Sequence, residues 1–107
     1  MIRTMLSAAL VLMPLAAGAQ APPPVTPGTP YEQARRALLA DGWQPLRDPD
    51  ADRCSQTDRR CAGRPEMLAC SGTGAANCLF GWQRGGTTIE VITEGEDTVV
   101  TGLRRRR

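Results

Sequence analysis

Four cysteines, eleven carboxylates and thirteen arginines are the residues of this 107-residue chain that could do chemistry, and neither lysine nor histidine stands beside them. Without histidine, the Ser/His and Cys/His nucleophilic arrangements and His-ligated metals are excluded; without lysine, so is Schiff-base chemistry. The spacing of Cys54, Cys61, Cys70 and Cys78 lacks the tight Cys-x-x-Cys loop of a zinc knuckle. An even cysteine count in a short chain reads as disulfides, hence no metal and no cofactor. Nearest-neighbour pairing, Cys54 with Cys61 and Cys70 with Cys78, is preferred because Cys70 and Cys78 flank a turn that can bring them together. The other two pairings stay open.

That turn holds Ser71, Gly72, Thr73, Gly74, Ala75, Ala76 and Asn77. Ser-Gly-Thr-Gly resembles a phosphate cradle superficially, yet it lacks the lysine and following helix of a P-loop. Its glycines suit positive φ in a connection between two strands. Ser71, Gly72, Thr73, Gly74 and Asn77 are therefore candidates for a rigid recognition loop. Ser55 and Ser71 sit in no nucleophile elbow. A carboxylate pair such as Glu66 with Glu90 could serve glycosidic chemistry if the fold placed the two suitably, and Asp97 is a further acid for a carboxylate-dependent hydrolase. No spacing argues for it, and the expectation is that the protein is not an enzyme.

The arginines divide unevenly. Arg104, Arg105, Arg106 and Arg107 form a terminal run, while the stretch from Gln20 to Leu103 is net acidic. An acidic domain with a basic tail offers no nucleic-acid footprint. The tail could attract anionic headgroups or an acidic partner, or it could be frayed and functionless.

The elements that must position these residues follow from patterning. Arg3, the apolar run Met5 to Leu15 and Ala17-Gly18-Ala19 read as an export signal with cleavage after Ala19, too short for a membrane span. The expected location is periplasmic or secreted. Residues 20–28, with Pro22, Pro23, Pro24 and Pro27, read as a semi-rigid polyproline spacer. Residues 29–103 form the domain, and 104–107 the tail.

A helix is predicted over Pro30 to Asp41. Thr29 serves as N-cap, Glu32 completes a capping box, and Gly42 ends it in the left-handed region. Tyr31, Ala34 and Leu38 share one face, leaving Arg35, Arg36 and Asp41 outward. Trp43 to Leu46 reads as a short extended piece that Pro45 confines to an edge or a terminus. Arg47 to Pro65 is irregular and needs the Cys54–Cys61 bridge to become compact. Strands follow around the stapled turn, then over Thr87 to Thr93 and Thr98 to Leu103, with turns at Gly85-Gly86 and Glu94 to Asp97.

The expected fold is α+β: one helix on an antiparallel meander of about four strands, stapled by disulfides, its other sheet face toward solvent. Trp43, Leu68, Phe80, Trp82, Ile89, Val91 and Val99 complete the expected core. So thin a core needs its bridges. Each is worth about 2.5 kcal/mol by loop entropy, against a total of roughly 5 kcal/mol.

Tyr31…Ala34-Arg35…Leu38…Gly42-Trp43, Glu66…Cys70-Ser71-Gly72-Thr73-Gly74…Cys78…Phe80…Trp82 and Val91…Thr93…Gly95 together resemble a family of small, exported, largely uncharacterised bacterial proteins, across about Pro30 to Val100. The architecture is also similar to half of a β-lactamase-inhibitor-protein-like module. Neither resemblance implies functional residues. The functional expectation is an exported binding module for an unknown protein or cell-envelope component, acting through the open sheet face or the Ser71 to Asn77 loop. Its alternatives are a small carboxylate-dependent hydrolase or inhibitor-like domain, and an envelope-associated protein using its arginine tail.

Overall fold

The computed structural model describes residues 21–106 and the isolated residue Ser7. The expected export signal, otherwise, and Arg107 lie outside the described residues. The elements are α1 (Tyr31–Ala40), β1 (Gln44–Pro45), β2 (Met67–Cys70), β3 (Cys78–Arg84), β4 (Thr87–Glu94) and β5 (Val99–Arg106). One antiparallel sheet runs β1-β3-β4-β5, with β2 also pairing β3. The expected α+β meander with two disulfides is therefore present, enlarged to five strands by the short piece at Gln44–Pro45. It pairs only β3, Gln44 opposite Gln83 and Pro45 opposite Trp82, an edge placement that suits a residue with no N–H to give.

Helix α1 ends as its sequence demands but begins otherwise. Gly42 takes φ 83, and the N–H groups of Gly42 and Trp43 return to the carbonyls of Leu39 and Leu38, a Schellman closure. At the start, Pro30 occupies the cap position and no side chain caps the helix. The Thr29 hydroxyl donates to the Thr26 carbonyl, and the Tyr31 N–H is satisfied across space by the Thr98 carbonyl at 2.9 Å. A tertiary partner has replaced the expected capping box, freeing Glu32 to pair with Arg64.

Tyr31, Ala34 and Leu38 are buried on the sheet against Trp43, Phe80, Trp82, Ile89, Val91 and Val100. The Tyr31 and Phe80 rings stack with centroids 3.9 Å apart, and the Trp82 indole N–H donates to the Tyr31 hydroxyl at 3.0 Å. Val99, expected in the core, is exposed and Val100 is buried in its place. The cause is a bulge: Ile92 opposes Gly102 while Thr93 opposes Val100, so Thr101 faces no partner. The extra residue shifts the inward phase by one.

The second sheet face is not left to solvent. A Cβ at Gly81 would stand 2.9 Å from Leu46 Cδ2 and 3.1 Å from Leu68 Cδ1, so the missing side chain is what lets both leucines seat on the sheet. Leu68 is buried there rather than in the main cluster. The segment after β1 crosses this face, anchored by the Asp52 N–H on the Leu68 carbonyl and by Asp48 on Arg106 at 2.7 Å.

Both ends of the domain extend further than expected. Strand β5 continues through Arg106, with Arg104, Arg105 and Arg106 opposite Glu90, Ile89 and Thr88; those arginines are strand, not a frayed tail. The proline-rich stretch is also docked rather than a spacer. The Gly28 N–H bonds the Val100 carbonyl, the Val100 N–H bonds the Thr29 carbonyl, and Val25 packs against the core.

Candidate functional site

The bridges Cys54–Cys61 and Cys70–Cys78 both form, and no cysteine is free. Cys70 and Cys78 are direct partners in the β2–β3 ladder, so the bridge closes the mouth of the hairpin at the base of the Ser71–Asn77 loop. The loop itself is exposed from Ser71 to Ala75. Its backbone is bound on several sides. The Ser71 N–H donates to the Asn77 carbonyl at 2.7 Å and the Gly95 N–H to the Ala75 carbonyl at 2.9 Å. Asn77 Nδ2 donates to the Thr93 carbonyl at 3.1 Å. Within the loop, the Ser71 hydroxyl donates to the Thr73 carbonyl at 3.0 Å.

The strongest brace comes from a residue that sequence reasoning missed. Arg60 is 7% exposed and its Nη1 donates to the carbonyls of both Ser71 (2.7 Å) and Ala76 (3.1 Å). Asp58 holds the same guanidinium bidentately, Oδ1 to Nε at 2.9 Å and Oδ2 to Nη2 at 2.7 Å. A planar fork on a carboxylate fixes direction as well as distance. The bond from Arg60 keeps the Asp58 carboxyl below its ordinary range. Nothing in Asp58-Arg59-Arg60 as a string marks it as a brace, since its target lies elsewhere in the chain.

The Cys54–Cys61 bridge closes the turn that carries Asp58, and so positions Arg60. Arg64 then ties this segment to the body. It donates to the Arg60 carbonyl and the Thr98 hydroxyl, pairs with Glu32 and lies 4.8 Å above the Tyr31 ring. A hollow of about 450 Å³ opens between the two bridges, bordered by Ser55, Asp58, Arg60, Met67 and Gly72.

Inside the loop, Ala76 adopts φ 50, a conformation that costs a non-glycine residue of order 1 kcal/mol. Gly74, at φ 62, meets the expected need for a glycine. Ser71, Gly72, Thr73 and Gly74 are thus brought together at the exposed tip, while Asn77 serves the framework.

The candidate carboxylates are not brought together. Glu66 is fully buried and its carboxylate accepts from Arg35 Nε at 2.6 Å, on the helix side of the sheet. Glu90 alternates with the core residues Ile89 and Val91, so it faces the opposite way, where Arg104 holds it at 2.7 Å. Asp97 is exposed in the β4–β5 turn. Arg35 was expected outward; the buried carboxylate of Glu66 draws it in. Burial first, then the charge of Glu66, pushes the Tyr31 hydroxyl well above its ordinary range, so it stays neutral.

The arginine run is divided by the pleat. Arg104 and Arg106 pair with Glu90 and Asp48, while Arg105 lies on the side of Ile89. Among the described residues no group of three or more Cys, Asp or Glu could hold a metal ion, and no helix is long and apolar enough to cross a membrane. Two disulfides mark an oxidising compartment.

No protein family, curated protein or solved structure matches the chain.

Proposed function

We propose that this protein is an exported, non-enzymatic binding module that engages a protein or other cell-envelope component through the Ser71–Asn77 loop. The observation that carries the reading is the contrast within that loop. Its side chains are exposed from Ser71 to Ala75, whereas its backbone is held by the Cys70–Cys78 bridge and by Arg60 on two carbonyls. A loop already held in one conformation loses less entropy on binding, and affinity gains by that amount. The tip offers hydroxyls and open backbone groups, the chemistry of a polar contact. The strained Ala76 fits a segment held in a shape that its sequence would not choose alone.

Export rests on Arg3, the apolar run Met5 to Leu15 and the Ala17-Gly18-Ala19 site, in agreement with the disulfides. Membership in the family of small exported bacterial proteins that the sequence resembles is part of the same proposal. No specific observation favours the carboxylate-dependent hydrolase or the inhibitor-like domain, and two of the run's arginines are engaged by the domain's own acids.

Site-specific photo-crosslinking in the producing cell tests the reading, with the reactive residue placed at Thr73 or, as a control, at the exposed helix residue Leu39. A discrete adduct is expected from Thr73 alone, weakened by Arg60→Ala. Equal adducts from both positions, or none from Thr73, would refute a recognition loop. A hydrolytic turnover abolished by Glu66→Gln would refute the non-enzymatic half. Export predicts a mature chain beginning at Gln20 by mass spectrometry.

A further inference from the structure

The docked proline segment, the helix exit and the outer strands enclose a second hollow, well away from the recognition loop. Its volume is about 160 Å³, and Pro22, Pro23, Trp43, Ile89 and Leu103 wall it with apolar atoms while Arg105 stands at its edge. Thr87 adds a hydroxyl on the same sheet side. Register explains the composition. Ile89 opposes Arg105 and Val91 opposes Leu103 across β4 and β5, and Thr87 shares the facing of Ile89 by the two-residue period. The bulge at Thr101 leaves Leu103 and Arg105 on the same side of β5 as the buried Val100.

The charge here is unbalanced. Arg104 and Arg106, on the opposite side of β5, each have a carboxylate at 2.7 Å. Arg84, near the rim, is held by Asp41 at 2.6 Å and lies 4.6 Å above the Trp43 ring. Among the described residues, no carboxylate lines the hollow and Arg105 makes no salt bridge. An apolar recess with one uncompensated guanidinium at its edge fits a small ligand with an apolar body and one anionic end. A cavity of about 150 Å³ holds a benzene ring, so a single six-membered ring is near the upper size.

We infer that the Trp43–Arg105 hollow is a binding site for a small apolar monocarboxylate, its ring or branched chain against Trp43, Ile89 and Leu103 and its carboxylate on Arg105. Bidentate pairing of a carboxylate with a guanidinium supplies orientation. The proline segment supplies one wall, which gives its docking a use beyond stability.

The disulfide-bonded protein, titrated with benzoate and followed by the indole N–H resonances of Trp43 and Trp82, tests the inference. Saturable movement of the Trp43 signal is expected, with Trp82, buried beside Tyr31, unmoved. Charge-assisted hydrogen bonds are worth about 1.5–3 kcal/mol, so Arg105→Gln should weaken binding by about tenfold or more. Benzyl alcohol, which lacks the charge, should lose a similar factor. Arg106→Gln, which changes an arginine engaged by Asp48, should leave benzoate affinity within about twofold, and Leu103→Trp should abolish binding by filling the space. No saturable Trp43 shift, a shift indifferent to Arg105→Gln, or equal binding of benzyl alcohol would overturn the inference. Because Thr73 is not involved, loss of the crosslink and loss of benzoate binding are separate failures.

Discussion

Phe80 and Arg60 are both almost inaccessible to solvent, yet unlike forces hold them. Phe80 belongs to a helix-and-sheet half, where Tyr31, Trp43, Trp82, Ile89 and Val91 bury one another. Arg60 belongs to an irregular half, residues 47–65, which contributes little apolar surface and is fixed by a disulfide, the Asp58 fork and the Arg64 contacts. Apolar burial is non-directional and tolerates small adjustments. A bidentate ion pair and a covalent bridge specify position instead. The half built from them is the one that braces the proposed recognition loop.

Four results would break or sharpen that contrast. The largest effect belongs to the sheet half: Phe80→Ala should cost about 3–5 kcal/mol, enough to abolish cooperative denaturant unfolding in a domain this small. Arg35→Ala comes next. It strands the buried Glu66 carboxylate and should cost about 3 kcal/mol, most of it recovered in the double variant Arg35→Ala/Glu66→Leu, which leaves no charge behind. Third, Cys54→Ser/Cys61→Ser should lose about 2.5 kcal/mol. Amide exchange should accelerate chiefly over residues 52–64 and 71–77; acceleration spread evenly through β3 and β4 would mean the halves are not separable.

The smallest effect is a pH signature that differs between the halves. Asp58 lies below its ordinary pKa because Arg60 binds its charged form. Its contribution is present above that ordinary value and is lost as pH falls through the lower folded one, so strong acid should loosen the irregular half first. Tyr31 lies above its ordinary value through burial. The folded state then keeps a proton that the unfolded chain releases above about pH 10, and stability falls as pH rises beyond that point. Alkali should open the sheet half. Absorbance of this single tyrosine, together with amide exchange at both pH extremes, would show which half yields where.

Local patterning was a sound guide wherever neighbours in sequence are neighbours in space. The helix face Tyr31–Ala34–Leu38, its Gly42 terminus and the β3–β4 pair are read from periodicity, and both bridges join nearest cysteines around turns. The loop from Ser71 to Asn77 was legible for the same reason. Its brace was not, because Arg60 meets Ser71 and Ala76 through the path of an irregular segment that carries no period. The Trp43–Arg105 hollow was equally illegible: it needs Pro22 and Pro23 folded back onto β4 and β5.

Residue types and spacing thus determined that the described residues of this chain make one helix on a stapled antiparallel meander, without the histidine or lysine that many catalytic schemes require. Tertiary structure alone decided the rest. A bulge at Thr101 exchanged Val99 for Val100 in the core, the register of β4 and β5 set which arginines face carboxylates, and Thr98 took over the capping of α1. The physical reason is common to these outcomes. A hydrogen-bond donor, a charge or a one-residue register shift is resolved by whichever partner folding brings near, and only the assembled sheet brings these partners together.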